Sequence, residues 1–485
     1  MNLLALILVP LLGGLANVLL MPLQRTLATS IGLGTALLTA LLALGVTSND
    51  AVALGGQALV GSNLVRVVAL GWSLGTLALG LMEVEIGRRR VVTGPALLAL
   101  AVGVLALAID DATTSFAALA AGGVGAIVVP SLAGWVHGRE DPWRLRTAIR
   151  GSWAVIGSSL LAIVVVAWAA SPAGPLRDGP PIGDPAARAA AGLALLGIVA
   201  AVAIRTGLIP AHVWAARFIE GVSPLAVPAA LVWGSGVFLL VALGWGQVAV
   251  GPGTQGDLER VAITLVGVAS ILLGGLAATL HDDVEHVLGY SILQDMGLAV
   301  LAFASLHTEA ADAARNWLIA SAMLKTALAA WVAAARSTFG VHRLVDLRGW
   351  VSGSPPLAVG LGLIALGAVG LPGMAIFSAR LDLVGGVLTG PLGTLVVLAA
   401  LTPILYLGRI VVVGLGRPGP AVMGAASPRP RWTGGRAAGW SSGSVRSIAR
   451  AIPAELRANR APLIALGVLV LAAIGFGVAV GGAAA

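Results

Sequence analysis

Apolar runs long enough to cross a lipid bilayer recur from one end of this chain to the other. About 20 residues at ~1.5 Å rise span the ~30 Å hydrocarbon core. About 14 such runs can be marked: 2–22, 27–46, 62–82, 91–109, 113–136, 148–169, 188–209, 224–249, 259–280, 286–306, 314–335, 356–386, 390–415 and 462–482. Of the 485 residues, 58% are hydrophobic and 10% charged, against about 25% charged in soluble domains. The chain is therefore expected to be an all-α polytopic membrane protein. No strand pattern and no Gly-rich nucleotide loop is evident. The chain has no cysteine, which excludes disulfides, cysteine-bound iron–sulfur clusters and thiol chemistry.

The loops set the orientation. Arg25 follows the first run, Arg88, Arg89 and Arg90 the third, and Arg139, Arg144, Arg146 and Arg150 the fifth. Arg217 follows the seventh, and Arg336, Arg343 and Arg348 the eleventh. Loops after even-numbered runs are poorer in arginine: Ser48–Asn63 has none. The loop after the ninth run is an acidic exception. The alternation places odd loops in the cytoplasm and both termini outside a bacterial inner membrane. The net charge of +8 lies in these loops, so it points to a membrane and not to nucleic acid. Residues 1–20 lack a basic n-region and read as a first span rather than a signal peptide. Residues 171–187 read as an irregular external loop. Residues 416–461 read as a basic cytoplasmic linker whose second half is either a surface helix or unstructured.

One charge stands where a bilayer would be thickest. Arg315 and Arg336 bracket RNWLIASAMLKTALAAWVAAAR, and Lys325 in its middle is the chain's single lysine. A charge at bilayer centre costs at least ~2.5–3.5 kcal/mol on insertion scales, so it normally meets a polar cavity or a partner. Lys325 is about ten residues, roughly 15 Å, from either end, too deep for its stem to reach water. Asp295, in the middle of the neighbouring run, is the natural partner, as a coupled pair or as ionic glue between helices.

Two runs are interrupted. AIRTGLIPAHVWAARFIE carries Pro210 after Gly207, and GAVGLPGMAIFSARLD carries Pro372 before Gly373. Proline removes a backbone donor, and the freed carbonyls survive in a membrane only where protein or water satisfies them. Each break has an arginine near it, Arg205 and Arg380. Two broken helices five spans apart are the pattern of an inverted repeat with an ion path at the repeat interface. Five segments follow: N-terminal helices 1–90, a first repeat 91–250, a second repeat 251–415, the linker 416–461 and a last helix 462–485. His281, Asp282, Asp283 and His286 crowd the start of the tenth run. They read either as a solvated loop or as a proton inlet through His281, Asp283 and His286.

Four blocks in order resemble the proton-translocating antiporter-like subunits of NADH–quinone dehydrogenase, membrane-bound hydrogenases and multisubunit cation/proton antiporters. RTGLIPAHVWAARFIEGVSPLAV matches the first broken helix at Pro210, His212, Trp214 and Pro224, with Arg205 where the family has lysine. DDVEHVLGYSILQDMGLAVLAF matches at Asp283, Leu288, Tyr290, Ser291, Met296 and Gly297, with Glu285 and His286 replacing a Lys-Arg pair. MLKTAL keeps the family lysine as Lys325, with Ser321 in place of a histidine. LPGMAIFSARLDL matches the second broken helix at Pro372, Ala375 and Phe377, with Arg380 for lysine. Asp295 stands where the family often has histidine. Ala120 and Ser235 fall at positions the family fills with a glutamate and a lysine or histidine.

The resemblance implies a membrane subunit that moves protons or monovalent cations, alongside other membrane subunits, in an NADH dehydrogenase-like or hydrogenase-like respiratory complex. It implies no redox catalytic site, metal or cofactor in this chain. The implied proton path is Arg205, His212, Asp295, Lys325 and Arg380. The departures at Ala120 and Ser235 leave open a structural subunit that does not conduct, or an antiporter subunit. Arginine for lysine matters because lysine can release its proton inside a protein and arginine does not.

Overall fold

A computed structural model describes residues 2–418 apart from 49, 87–91, 137–141, 178, 180–183, 253–255 and 342. The expected linker beyond residue 418 and the expected last span lie outside the described residues. In chain order the helices are α1 (Asn2–Leu20), α2 (Arg25–Leu44), α3 (Asn63–Ile86), α4 (Thr93–Ala108), α5 (Ala112–Val136), α6 (Pro142–Ala169), α7 (Pro185–Thr206) and α8 (Val213–Gly221). A π-helical turn, Pro228–Trp233, leads into α9 (Gly234–Trp245). There follow α10 (Asp257–Leu280), α11 (Val284–Val300), α12 (Thr308–Phe339), the short α13 (Trp350–Gly353), α14 (Pro355–Val369), α15 (Ala375–Gly385), α16 (Gly390–Ala400) and α17 (Pro403–Gly414). Eleven helical segments among the described residues are long and apolar enough to cross a membrane. The protein is a multi-pass, helical membrane protein.

Each apolar run expected up to residue 415 coincides with a helix or a broken pair of helices. Two local features depart from expectation. The loop after α2 is a hairpin in which β1 (Ala51–Leu54) pairs antiparallel with β2 (Gln57–Val60). Four-residue strands closed by the two-residue Gly55-Gly56 turn are too short to show a period-2 pattern. The thirteenth run is also not continuous, because Leu401 and Thr402 separate α16 from α17. Pro403 follows that break and cannot extend a helix backwards across it.

The centre of the fold is α12. Its sequence is alanine-rich on every face, so no side is marked for solvent or lipid, and it is buried along its length. Helices α3, α11, α14 and α15 pack around it. The neighbouring α11 is held by close approach to α10. A Cβ added at Gly274 would lie 2.7 Å from the Gln294 backbone nitrogen, and one at Gly297 would lie 3.0 Å from the Gly267 carbonyl. Small residues in these positions let two backbones touch, as membrane helix pairs require. The contact fixes the height and rotation of α11, and with them the position of Asp295.

Candidate functional site

On α12, Lys325 Nζ lies 3.1 Å from Asp295 Oδ2 of α11, with side-chain exposures of 5% and 9%. The two residues single out one point in the bundle because each element is pinned nearby. The Trp317 indole of α12 donates to the Asp295 carbonyl at 2.9 Å. The Thr326 hydroxyl of α12 accepts from the Trp233 indole at 3.1 Å, and Trp233 stacks on Trp72 of α3 with centroids 5.6 Å apart. Ser321, which stands in place of the family histidine, donates to Leu318 of its own helix.

The second broken helix supplies the next cation. Gly370, at φ +69°, ends α14 in the left-handed region that glycine tolerates. Its last carbonyls have no helical partner. Arg380 of α15 folds back and donates from Nη1 to Val369 at 2.6 Å and from Nη2 to Ala368 at 2.7 Å. A cation there also meets the negative end of the α14 dipole. The guanidinium stands 5.1 Å over the Trp317 ring, so the same tryptophan touches both Arg380 and the Asp295 backbone. Arg380 is fully buried.

The first broken helix uses the same device with different partners. Gly207, at φ +69°, closes α7, and Leu208 N reaches back to Ala203 at 2.8 Å in a Schellman turn. The freed Ile204 carbonyl accepts from the Trp214 indole at 2.7 Å, and the Arg205 carbonyl accepts from Ser235 Oγ at 3.2 Å. Ser235, which stands where the family carries a cation, therefore seals the break. The Arg205 side chain goes elsewhere. It is 1% exposed, yet its contacts are one 3.3 Å bond to the Leu119 carbonyl of α5 and the Phe238 ring at 5.6 Å. Its Nε and Nη1 find no partner among the described residues. Gly123 of α5 leaves the room, since a Cβ there would lie 2.3 Å from Nη2. Ala120 sits beside this contact and offers no carboxylate. Arg205 lies close to the cytoplasmic end of its run, from where a long side chain could reach water, but it is buried instead.

Two of the inlet candidates, His281 and His286, form an aromatic stack with Tyr290 at the α10–α11 corner. The His281 ring stacks on His286 at 4.8 Å and on Tyr290 at 4.9 Å. His286 Nε2 lies 3.0 Å from Glu220 of α8, and its Nδ1 lies 3.8 Å from Asp283. Asp283 caps α11 by accepting from Glu285 N at 2.8 Å. Burial holds the His281 imidazole below its ordinary value, and neighbouring His286 adds to this. Asp282 pairs with Arg409, and Glu285 with Arg336. Behind the stack, a cavity of about 20 Å³ is lined by Thr206, His212, His286 and Tyr290. That is room for about one water. His212 thus shares this cavity with His286 and Tyr290, and its buried Nδ1 has no partner among the described residues.

Two residues at the centre were not anticipated from sequence. The buried Tyr406 of α17 lies next to Lys325 and in the field of Asp295 and Arg380. The chain has two tyrosines, and that rarity was a usable signal, because Tyr290 marks the inlet stack and Tyr406 the ion pair. Gln294, beside Asp295, donates to the Ala399 carbonyl at 3.0 Å and to Thr402 Oγ1 at 2.7 Å. It thereby holds the α16–α17 break.

Residues 186–405 match the family described as NADH:quinone oxidoreductase/Mrp antiporter, TM. A relative from Streptomyces griseus, named NADH-quinone oxidoreductase subunit N 1, is 31% identical over 310 residues, covering 62% of this chain and 64% of that protein. A second, NADH-quinone oxidoreductase subunit N from Geotalea uraniireducens, is 30% identical over 238 residues, covering 47% of this chain and 48% of that protein. The chain thus spans about half to two thirds of the length of the curated relatives it matches. The fold is similar to a chain of respiratory complex I from Thermus thermophilus (TM-score 0.68, 21% identity, 98% of this chain and 99% of that one). It is also similar to a chain of the archaeal membrane-bound sulfane sulfur reductase (TM-score 0.73, 17% identity, 99% and 76%). Over residues 186–405, somewhat under half of its length, this chain is similar to the NADH:quinone oxidoreductase/Mrp antiporter transmembrane family.

Proposed function

We propose that this chain is a proton- or monovalent-cation-translocating subunit of a multisubunit respiratory complex of the NADH dehydrogenase or hydrogenase kind, in a bacterial inner membrane. The observation that carries the reading is the Lys325–Asp295 pair at 3.1 Å, almost wholly removed from solvent. An acid and a base in direct contact can exchange their pairing when either changes protonation, and arginine in place of lysine would not allow this. Trp317 holds the pair against Arg380, so a change at Asp295 would be felt at the second helix break. The names of the relatives, NADH-quinone oxidoreductase subunit N, support the assembly. In this reading residues 91–250 and 251–415 are two inverted five-helix repeats. His281, Asp283, His286 and His212 form the inlet to a path through Asp295, Lys325 and Arg380.

The direct test is proton movement into sealed vesicles by the assembled complex, with and without a working subunit. Movement that persists undiminished without it defeats the proposal. A second reading, a subunit that braces the complex without conducting, is favoured by Arg205, whose carboxylate partner is missing at Ala120. Orientation is tested separately. The chain has no cysteine, so single cysteines report cleanly. Gln57→Cys in the hairpin should label from outside and Arg343→Cys from the cytoplasm. Labelling of both from one side would refute the arrangement with both termini outside.

A further inference from the structure

Outside the ion-pair site, one groove combines free positive charge with an apolar wall. It lies between α6 and the start of α8, has a volume of about 370 Å³, and is lined by Thr147, Arg150, Gly151, Pro210, Trp214 and Arg217, among others. Arg150 and Arg217 are exposed, and neither pairs with a described residue. Among the described residues, no acidic one lines the groove. The N-terminus of α8 opens beside it, and the side chain of its N-cap, His212, makes no capping bond. The first N–H groups of such a helix favour an anion.

We propose that this groove holds the phosphate headgroup of an anionic phospholipid, clamped between Arg150 and Arg217. The charge asks for an anion, and the surroundings ask for a lipid. Ile149, Trp153 and Val213 beside the arginines are 43%, 67% and 53% exposed. The apolar span of α6 begins at Leu145, which puts Arg150 little more than a turn inside it, at headgroup depth. Exposed tryptophan at that level is the usual interfacial anchor, and basic pockets between membrane helices take anionic headgroups. A soluble phosphate would use the arginines and leave the apolar wall bare. The groove is floored by the Pro210 break, so a bound lipid would brace the same turn that seals α7.

The test is lipid retention by the full chain in mild detergent, read by native mass spectrometry with added phosphatidylglycerol or phosphatidylcholine. Wild type should keep phosphatidylglycerol in preference to phosphatidylcholine. The double variant Arg150→Gln/Arg217→Gln should bind it about 30-fold more weakly, the factor for two arginine contacts. Arg188→Gln, at the far end of α7, should leave retention unchanged. If the double variant does not fold, Arg150→Gln and Arg217→Gln alone should each lose about fivefold. Equal retention by wild type and the arginine variants overturns the proposal. So does displacement of the lipid by inorganic phosphate alone, which would make the site one for a soluble anion.

Discussion

The Lys325 ammonium and the Asp295 carboxylate meet at 3.1 Å on adjacent helices, both buried. Neither residue can be replaced without changing what the other faces. Breaking a buried pair by removing one partner costs about 3–5 kcal/mol, because the survivor is left charged and unpaired. The pair is thus both a structural clamp between α11 and α12 and a buried acid–base couple in direct contact.

The two roles separate by substitution. Lys325→Arg keeps a positive charge beside Asp295 and should leave the protein folded in the membrane. It should abolish proton translocation by the assembled complex in sealed vesicles, because arginine does not release its proton. Lys325→Ala should block it too. Asp295→Asn should impair it less completely. Wild-type pumping by Lys325→Arg would defeat the relay reading and favour the bracing subunit.

Arg380 is expected to tolerate lysine poorly. Its two guanidinium nitrogens reach the Val369 and Ala368 carbonyls together, and one ammonium on a flexible stem cannot reproduce that fork. Each lost bond from a charged donor is worth about 1.5–3 kcal/mol. Arg380→Lys should therefore lower the thermal midpoint of the purified protein by several degrees. An unchanged midpoint would show that the cap at the end of α14 contributes little.

Most of the helices were legible in the sequence because the bilayer admits so few backbone solutions. Each apolar run up to residue 415 had to be helical, and Pro210 and Pro372 had to mark breaks. Lys325 and Asp295 were legible for the same reason, since a charge in such a run needs a partner. The rest depends on which way side chains turn. Nothing in the spacing shows that Arg380 folds back onto its own broken helix while Arg205 reaches away to α5. Nor does it show that Ser235 donates to the carbonyl of Arg205. Gln294 and Thr402 are ordinary polar residues until α10 and α11 close to backbone contact and bring them together across 108 positions.

The His281 stack makes a pH prediction. Burial holds the folded-state value of His281 below its ordinary 6.5, so the unfolded chain binds the proton more readily. Stability from this residue is then fully present above about pH 6.5 and is lost as pH falls through the folded-state value. His281→Phe keeps an aromatic ring against Tyr290 and removes the proton site. Thermal midpoints measured from pH 8 down to 5 should fall less steeply in the variant than in wild type. Parallel curves would remove His281 as a source of the dependence.

Arg205 and Arg380 are both buried arginines beside a helix break, yet they should respond to one substitution in opposite ways. Arg380 caps two carbonyls and lies in the field of Asp295. Arg205 has one 3.3 Å bond and two nitrogens without a partner among the described residues. Replacing a poorly compensated buried charge with an apolar side chain of similar length is often neutral or stabilising, by about 1–4 kcal/mol. Arg205→Met should accordingly hold or raise the thermal midpoint, while Arg380→Met lowers it. Ala120→Glu, beside the Leu119 carbonyl that Arg205 already touches, should also raise it by supplying the absent carboxylate. With Ala120→Glu in place, Arg205→Met should become destabilising, since the new glutamate would lose its partner. Additive effects in that double variant would mean that position 120 does not reach Arg205. A loss of stability in Arg205→Met alone would mean that the guanidinium has a compensating partner in the membrane.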